Sequence, residues 1–137
     1  LSAVGQPYLM AEYRKAFKKF NLEVAQVLLT AEDLRSKKRF FNAKNTFEAL
    51  LKFGVVPIVN ENDTLSVEEI KIGDNDNLSA HVAVLLDADL LVMLTVSNGI
   101  YDSDPSKNPD AKLIPVVESA KELLATCDFS CKTSFGT

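Results

Sequence analysis

Cysteine, histidine and runs of basic charge are scarce in this chain of 137 residues, and each scarcity excludes something. Cys127 and Cys131 lie four apart near the C-terminus, with the single histidine, His81, far upstream. A structural zinc site wants four ligands, so two reduced thiols at a helix end are the reading and no metal ligand set is expected. With 15 Lys and Arg against 19 Asp and Glu the net charge is -4, and no lysine or arginine run is long enough to follow a phosphate backbone. Nucleic acid is therefore not an expected partner. The longest apolar stretches, such as "VAVLL" and "LLVMLT", are far short of the ~20 residues that a membrane span needs. The N-terminus has no basic region followed by an apolar one, so no membrane partner is expected and the location is expected to be cytoplasmic. Neither G-x-x-x-x-G-K-[ST] nor G-x-G-x-x-G occurs, and any nucleotide must be held in some other way.

What the chain does have is a soluble makeup, 47% hydrophobic and 25% charged, and a repeated alternation of patterns. Met10, Tyr13, Phe17 and Phe20 recur at helical spacing in the first segment. "LEVAQVLLT" follows as a strand buried on both faces, and Thr30 can cap what comes next. Phe40, Phe47, Leu50 and Leu51 mark a second helix, with Gly54 placed for a left-handed C-cap. "VVPIV" reads as a short buried strand in which Pro57 cannot donate to a ladder, which argues against a fully central position. "EEIKI" continues the chain after a polar excursion. A helix then carries Leu78, Val82 and Leu85 on one face, with His81 at the core edge of the same stripe. "DLLVMLT" reads as the next buried strand, and the stretch from Val96 to Pro109 as a loop. "KLIPVV" and "ESAKELLAT" close the pattern as a short strand and a helix. Apolar strands separated by amphipathic helices indicate βαβ units, an α/β class and a mostly parallel sheet. No repeat, low-complexity segment or linker-like shift in composition interrupts it. One domain or part of one is therefore expected, and because the last residues, "CKTSFGT", complete no layer, a truncated segment.

Two polar clusters stand out. "NENDT" supplies Asn60, Glu61, Asn62 and Asp63 directly after a strand, where open parallel sheets bind ligands. "GDNDN" supplies Asp74, Asn75, Asp76 and Asn77 at a helix start. If the loops converge, carboxylates could hold an ammonium group or a metal, amides a carboxylate, and the helix N-terminus an anion. The ordinary reading is that such residues cap helices and close turns. The residues alone leave both open. "SNGIYDSDP" likewise can be an Asx-rich turn in which Tyr101 packs.

"GVVPIVNENDT", "EIKIGDNDNLSA" and "GIYDSDPSKNPDAKLI", in that order and spacing, resemble the glutamate 5-kinases, a branch of the amino acid kinase family. "VGQPYLM", "VAQVLLT" and "FNAKNTFEALL" resemble its middle region. The resemblance implies a three-layer α/β sandwich with a mostly parallel central sheet. Residues 1–137 would be the central part of a single domain, without its N-terminal strand and glycine loop or its C-terminal glycine-rich loop and lysine, and inactive alone. It implies ATP with Mg²⁺ and transfer of the γ-phosphoryl group to the side-chain carboxylate of L-glutamate, giving glutamyl 5-phosphate. By similarity Asp63 and Asn75 would contact glutamate, Asp74 would shape the same loop, and Asp76 would orient the catalytic lysines. Thr95, Val96, Gly99 and Tyr101 would lie on the nucleotide side. The family usually reads Thr-Asp where this chain has Thr95-Val96, so a polar contact is lost there unless Ser97 or Asn98 replaces it. The resemblance also implies a homo-oligomer and inhibition by proline. The alternatives are a sister carboxylate kinase of the same fold and a non-catalytic glutamate-binding or proline-sensing module.

Overall fold

A computed structural model describes residues 2–65, 74–96 and 98–126. The chain divides into two compact units, residues 1–92 and 93–137.

The first unit is built around a parallel crossover. Helix α1 (Ser2–Lys18) leads to strand β1 (Glu23–Leu29), the short helix α2 (Ala31–Arg35), helix α3 (Lys37–Lys52) and strand β2 (Val55–Glu61), with helix α4 (Asn75–Leu85) closing the unit. β1 and β2 pair in parallel from Glu23 opposite Val55 to Leu29 opposite Glu61. Two parallel neighbours cannot be joined by a tight turn, and α2 and α3 supply the crossover. The corners are set by local chemistry. Asn21 takes a φ of 57° after α1, a left-handed geometry that asparagine tolerates, and Gly54 takes 71° after α3. At the end of β1, Thr30 and Asp33 form a reciprocal capping box over the start of α2.

Side chains alternate across β1. Leu29 joins Phe47 of α3 and Leu78 and Leu85 of α4 in one buried cluster, with Val27, Val59 and Val82 packed against it. Gln26 points to the other face, where its side-chain amide donates to Gln6 of α1. The helices thus reach the strands from the two sides that the alternation defines. β1 is less enclosed than its composition implies, since Val24 and Leu29 alone are fully buried, and β2 is half-buried throughout. Pro57 lies inside β2 opposite Ala25. Among the described residues β2 is bonded along one edge, a position that tolerates a residue without an N–H.

In the second unit strands β3 (Ile100–Tyr101) and β4 (Leu113–Ile114) form a small antiparallel pair, followed by helix α5 (Ala120–Thr126). β4 is the short strand expected in "KLIPVV", cut to two residues before Pro115.

Two expectations are corrected. "DLLVMLT" forms no strand: residues 90–95 have no regular structure, and Leu90 and Leu94 are 77% and 96% exposed. An apolar run has the composition of a buried strand, but a strand exists by pairing, and no described strand bonds this one. His81 is exposed rather than packed at the core edge. At 3.6 residues per turn it sits on the opposite flank of the Leu78–Leu85 line from Val82, and α4 turns towards the core on the Val82 side. "EEIKI", Cys127 and Cys131 lie outside the described residues.

Phe47 is wholly buried at the centre of the cluster. Phe47→Ala is expected to cost about 3–5 kcal/mol of stability, read by urea denaturation of the protein, because the cavity left among Leu29, Leu78 and Leu85 cannot collapse onto a single element.

Candidate functional site

The first polar cluster is an extension of the sheet. One residue beyond β2, the Asn62 backbone N–H donates to the Leu29 carbonyl at 2.8 Å, so the ladder continues past the strand end. The chain then turns. The Leu65 N–H donates to the Asn62 carbonyl at 3.0 Å, and the Thr64 hydroxyl donates to the Asn62 side-chain oxygen. Asp63 sits within this turn with its side chain exposed. The Asn60 side-chain oxygen accepts from the Glu61 N–H at 3.0 Å. Asn60 and Asn62 therefore shape the backbone from which Asp63 projects.

The second cluster opens α4. Asp74 is the N-cap, extended at φ -125° and ψ 170°, and its carboxylate accepts from the Asn77 N–H at 2.8 Å. Capping is thus the observed work of Asp74. Asp76 lies in the first turn, where the positive end of the helix dipole favours its charge. Its carboxylate bonds to no other described residue, and its backbone carbonyl accepts from the Ser79 hydroxyl at 2.7 Å.

α4 packs on β2, and a cavity of about 420 Å³ is bounded by α4, Val59 of β2 and the chain after α4 at Ala88, Leu90 and Leu91. Val59, Leu78, Val82 and Leu86 make most of it apolar, while Asn75 and Ser79 give its end at the α4 N-terminus an amide and a hydroxyl. Of the four residues expected to meet the substrate or its neighbours in the loops, Asn75 lines this cavity. Asp63, Asp74 and Asp76 do not. Ser79 was not singled out in the sequence, and Asn62 only as a member of its cluster. Ser79 could have been found from its spacing, since a residue four past Asn75 shares its helical face. The part played by Asn62 could not, because it is a backbone bond to a distant strand.

On the second unit, Thr95 and Val96 are in irregular chain, and Val96 is fully exposed. Gly99 has φ +145°, a conformation that favours glycine, and a Cβ there would stand 3.0 Å from the end of the Leu113 side chain, which would have to give slightly. Tyr101 lies in β3 opposite Leu113 and is half-buried. The loop that follows is closed by its own polar residues. Asp102 accepts from the Lys112 backbone N–H at 2.8 Å, which holds its carboxyl below the usual carboxylate range, with the Ser103 hydroxyl adding to the effect. Asp104 accepts from the Ser106 N–H at 2.9 Å and pairs with Lys107 at 3.6 Å. Asn108 donates to the Ser103 hydroxyl at 3.0 Å. Ser97 lies outside the described residues.

Among the described residues no three His, Cys, Asp or Glu side chains gather as a metal centre would need, and no helix is long and apolar enough to cross a membrane.

The profile of the amino acid kinase family matches residues 1–136. The chain is 56% identical over 125 residues to a glutamate 5-kinase of Thermus thermophilus, covering 91% of this chain and 34% of that protein. It is 54% identical over 136 residues to the glutamate 5-kinase of Carboxydothermus hydrogenoformans, covering 99% and 37%. With the glutamate 5-kinase of Haemophilus influenzae the identity is 46% over 137 residues, covering 100% and 37%. The chain spans about a third of the length of the curated relatives it matches.

Asp74→Ala removes the cap and leaves the Asn77 N–H without its acceptor. A loss of about 0.5–2 kcal/mol in denaturation is expected, with Asp74→Ser recovering most of it because serine caps as well.

Proposed function

The chain belongs to the amino acid kinase family, and from that premise we propose that the protein carrying it transfers the γ-phosphoryl group of ATP to the side-chain carboxylate of L-glutamate, giving glutamyl 5-phosphate in the first step of proline biosynthesis. The observation that carries this reading is the identity with glutamate 5-kinases along nearly the whole chain. The polar clusters support it by their position, one on the C-terminal end of β2 and the other on the helix packed against that strand.

Joining a carboxylate to a phosphoryl group brings two anions together, so catalysis is mostly positioning and charge neutralisation. In the proposed site the Asp63 carboxylate binds the substrate ammonium. Asn75, both donor and acceptor, takes the substrate's polar atoms at the mouth of the α4 cavity. Asp74 holds the first turn that presents Asn75. Asp76 is a positioning residue whose carboxylate, bonded to no other described residue, holds cationic groups near the reacting oxygens. On the nucleotide side, Thr95 offers a hydroxyl and Tyr101 a ring, while Gly99 lets the backbone turn close to Leu113. This donor set fits the polar edges of a nucleotide. It holds no cationic side chain, so the phosphate charge would be met by Mg²⁺ and by lysines other than these residues. Val96, in place of an acidic residue, offers that side no polar group. We read residues 1–137 as the central part of one domain with a three-layer α/β/α arrangement, supported by the helices met on both faces of β1. The same relationship is the basis for proposing a cytoplasmic homo-oligomer inhibited by proline.

The direct test is hydroxylamine trapping of the acyl phosphate, with the full-length protein, ATP and Mg²⁺ set against glutamate, N-acetylglutamate and aspartate in parallel. Hydroxamate is expected from glutamate. Hydroxamate from either of the others alone would reassign the acceptor, and none at all would overturn the kinase reading. Asp63→Ala should raise the KM for glutamate roughly tenfold or more while leaving that for ATP, since truncating one partner of a charge pair is felt by the ligand it binds. Asp76→Asn should lower kcat about 10²-fold with little change in glutamate affinity, and an unchanged kcat would remove Asp76 from the chemistry.

A further inference from the structure

The turn that carries Asp63 is bonded to β1, and the end of β1 is itself held from the far side. Leu29, the last residue of β1, is 4% exposed, and its carbonyl accepts the Asn62 N–H at 2.8 Å. The next residue is Thr30. Its backbone N–H donates to the Asp33 carboxylate at 2.8 Å, and its hydroxyl donates to the same oxygen at 2.6 Å. The Asp33 N–H returns a bond to the Thr30 hydroxyl at 3.3 Å. Arg39 of α3 then lies 3.3 Å from the other Asp33 oxygen and 3.5 Å from Glu32. Partial burial would push the Asp33 carboxyl upward, but the Thr30 hydroxyl and N–H and the Arg39 guanidinium outweigh it and hold the group below its ordinary value. The carboxylate that closes the box is therefore charged at neutral pH. Ala31, between the two box residues, is 5% exposed, so the turn is also fixed by packing.

We propose that the Thr30–Asp33 box positions the glutamate-binding turn, acting through the Leu29–Asn62 hydrogen bond. This rests on the functional reading above and adds to it two positioning residues, Thr30 and Asp33, that touch no substrate. The path is short and continuous. A wrong direction for the chain at Thr30 tilts the Leu29 carbonyl, the Asn62 N–H loses its acceptor, and the turn stabilised by Asn62, Thr64 and Leu65 moves with Asp63 on it. A small misplacement of a binding group is costly to the ligand that depends on it. The effect is expected on the substrate held by Asp63, because the hydrogen-bonded path from the box leads to the turn that carries it.

Thr30→Val keeps the shape of the side chain and removes its hydroxyl, while Thr30→Ser keeps the hydroxyl. In the full-length protein Thr30→Val should raise the KM for glutamate roughly fivefold or more, the scale of a lost helix cap, with the KM for ATP and kcat changed by less than about twofold. Thr30→Ser should behave as the native protein. Amide hydrogen exchange at Asn62 should quicken by a similar factor in Thr30→Val and not in Thr30→Ser. Equal changes in both KM values would mean general loosening and overturn the proposal, as would an unchanged KM for glutamate with unchanged exchange at Asn62. If Thr30→Val does not fold, Asp33→Asn carries the same comparison, since it removes the charge and the ion pair to Arg39. Should the native protein phosphorylate no carboxylate, the functional reading fails by itself, and exchange at Asn62 still decides whether the box controls the turn.

Discussion

The parallel pairing of β1 with β2 is the constraint on which the rest of the first unit depends. Once Leu29 stands opposite Glu61, the apolar face of β1 is fixed against α3 and α4, and the polar residues that end β2 are delivered to the rim of the sheet. A slip of one residue would turn Leu29 outward and bring Leu28 to the core side, exchanging the face bonded to α1 for the face packed on Phe47. The same slip would carry Asp63 to the wrong side of its turn. Packing and site geometry are thus two results of one register.

The crossover makes that register costly to form and hard to lose. β1 and β2 are brought together across two helices, so their contacts close a long loop before any ladder bond forms. What repays the closure is the cluster around Phe47, which draws on a strand and two helices at once. Capping chemistry then fixes where two of the helices begin, through Thr30 for α2 and Asp74 for α4. The two caps stand at the ends of the structure where the polar clusters lie. Residues that hold a helix in register also hold the groups beside it.

The crossover was legible in the chain because Phe40 and Phe47 repeat at helical spacing while "VAQVLL" and "VVPIV" are continuous runs. The reading of Asp74 as a helix cap was legible too, from residue type alone. Residues 89–95 misled for a physical reason. Composition reports what a segment would bury, whereas a strand also requires a neighbour to bond. His81 misled by proximity to the apolar stripe, since a residue about 60° from Leu78 is inside or outside according to which way the helix rolls. Of the candidate site, the place of Asn75 at the start of α4 was readable from the polar cluster ahead of an apolar helical pattern. The Leu29–Asn62 bond was not, because nothing local marks which distant carbonyl a backbone N–H will find. The box at Thr30 was half visible: the threonine reads as a cap, while Asp33, three residues on and accepting from the Thr30 N–H, carried a capping-box spacing that was not singled out.

The exposed run from Leu90 to Val96 has a consequence for handling the molecule. "LLVMLTV" is seven residues long, uncharged, without proline, rich in β-forming side chains, and presented to solvent. Such a segment is a template for cross-β stacking between chains. Asp87 and Asp89 stand immediately before it as gatekeepers, and their mutual repulsion between neighbouring copies opposes stacking. High salt, which screens those charges, would weaken this protection while leaving the buried Phe47 cluster untouched.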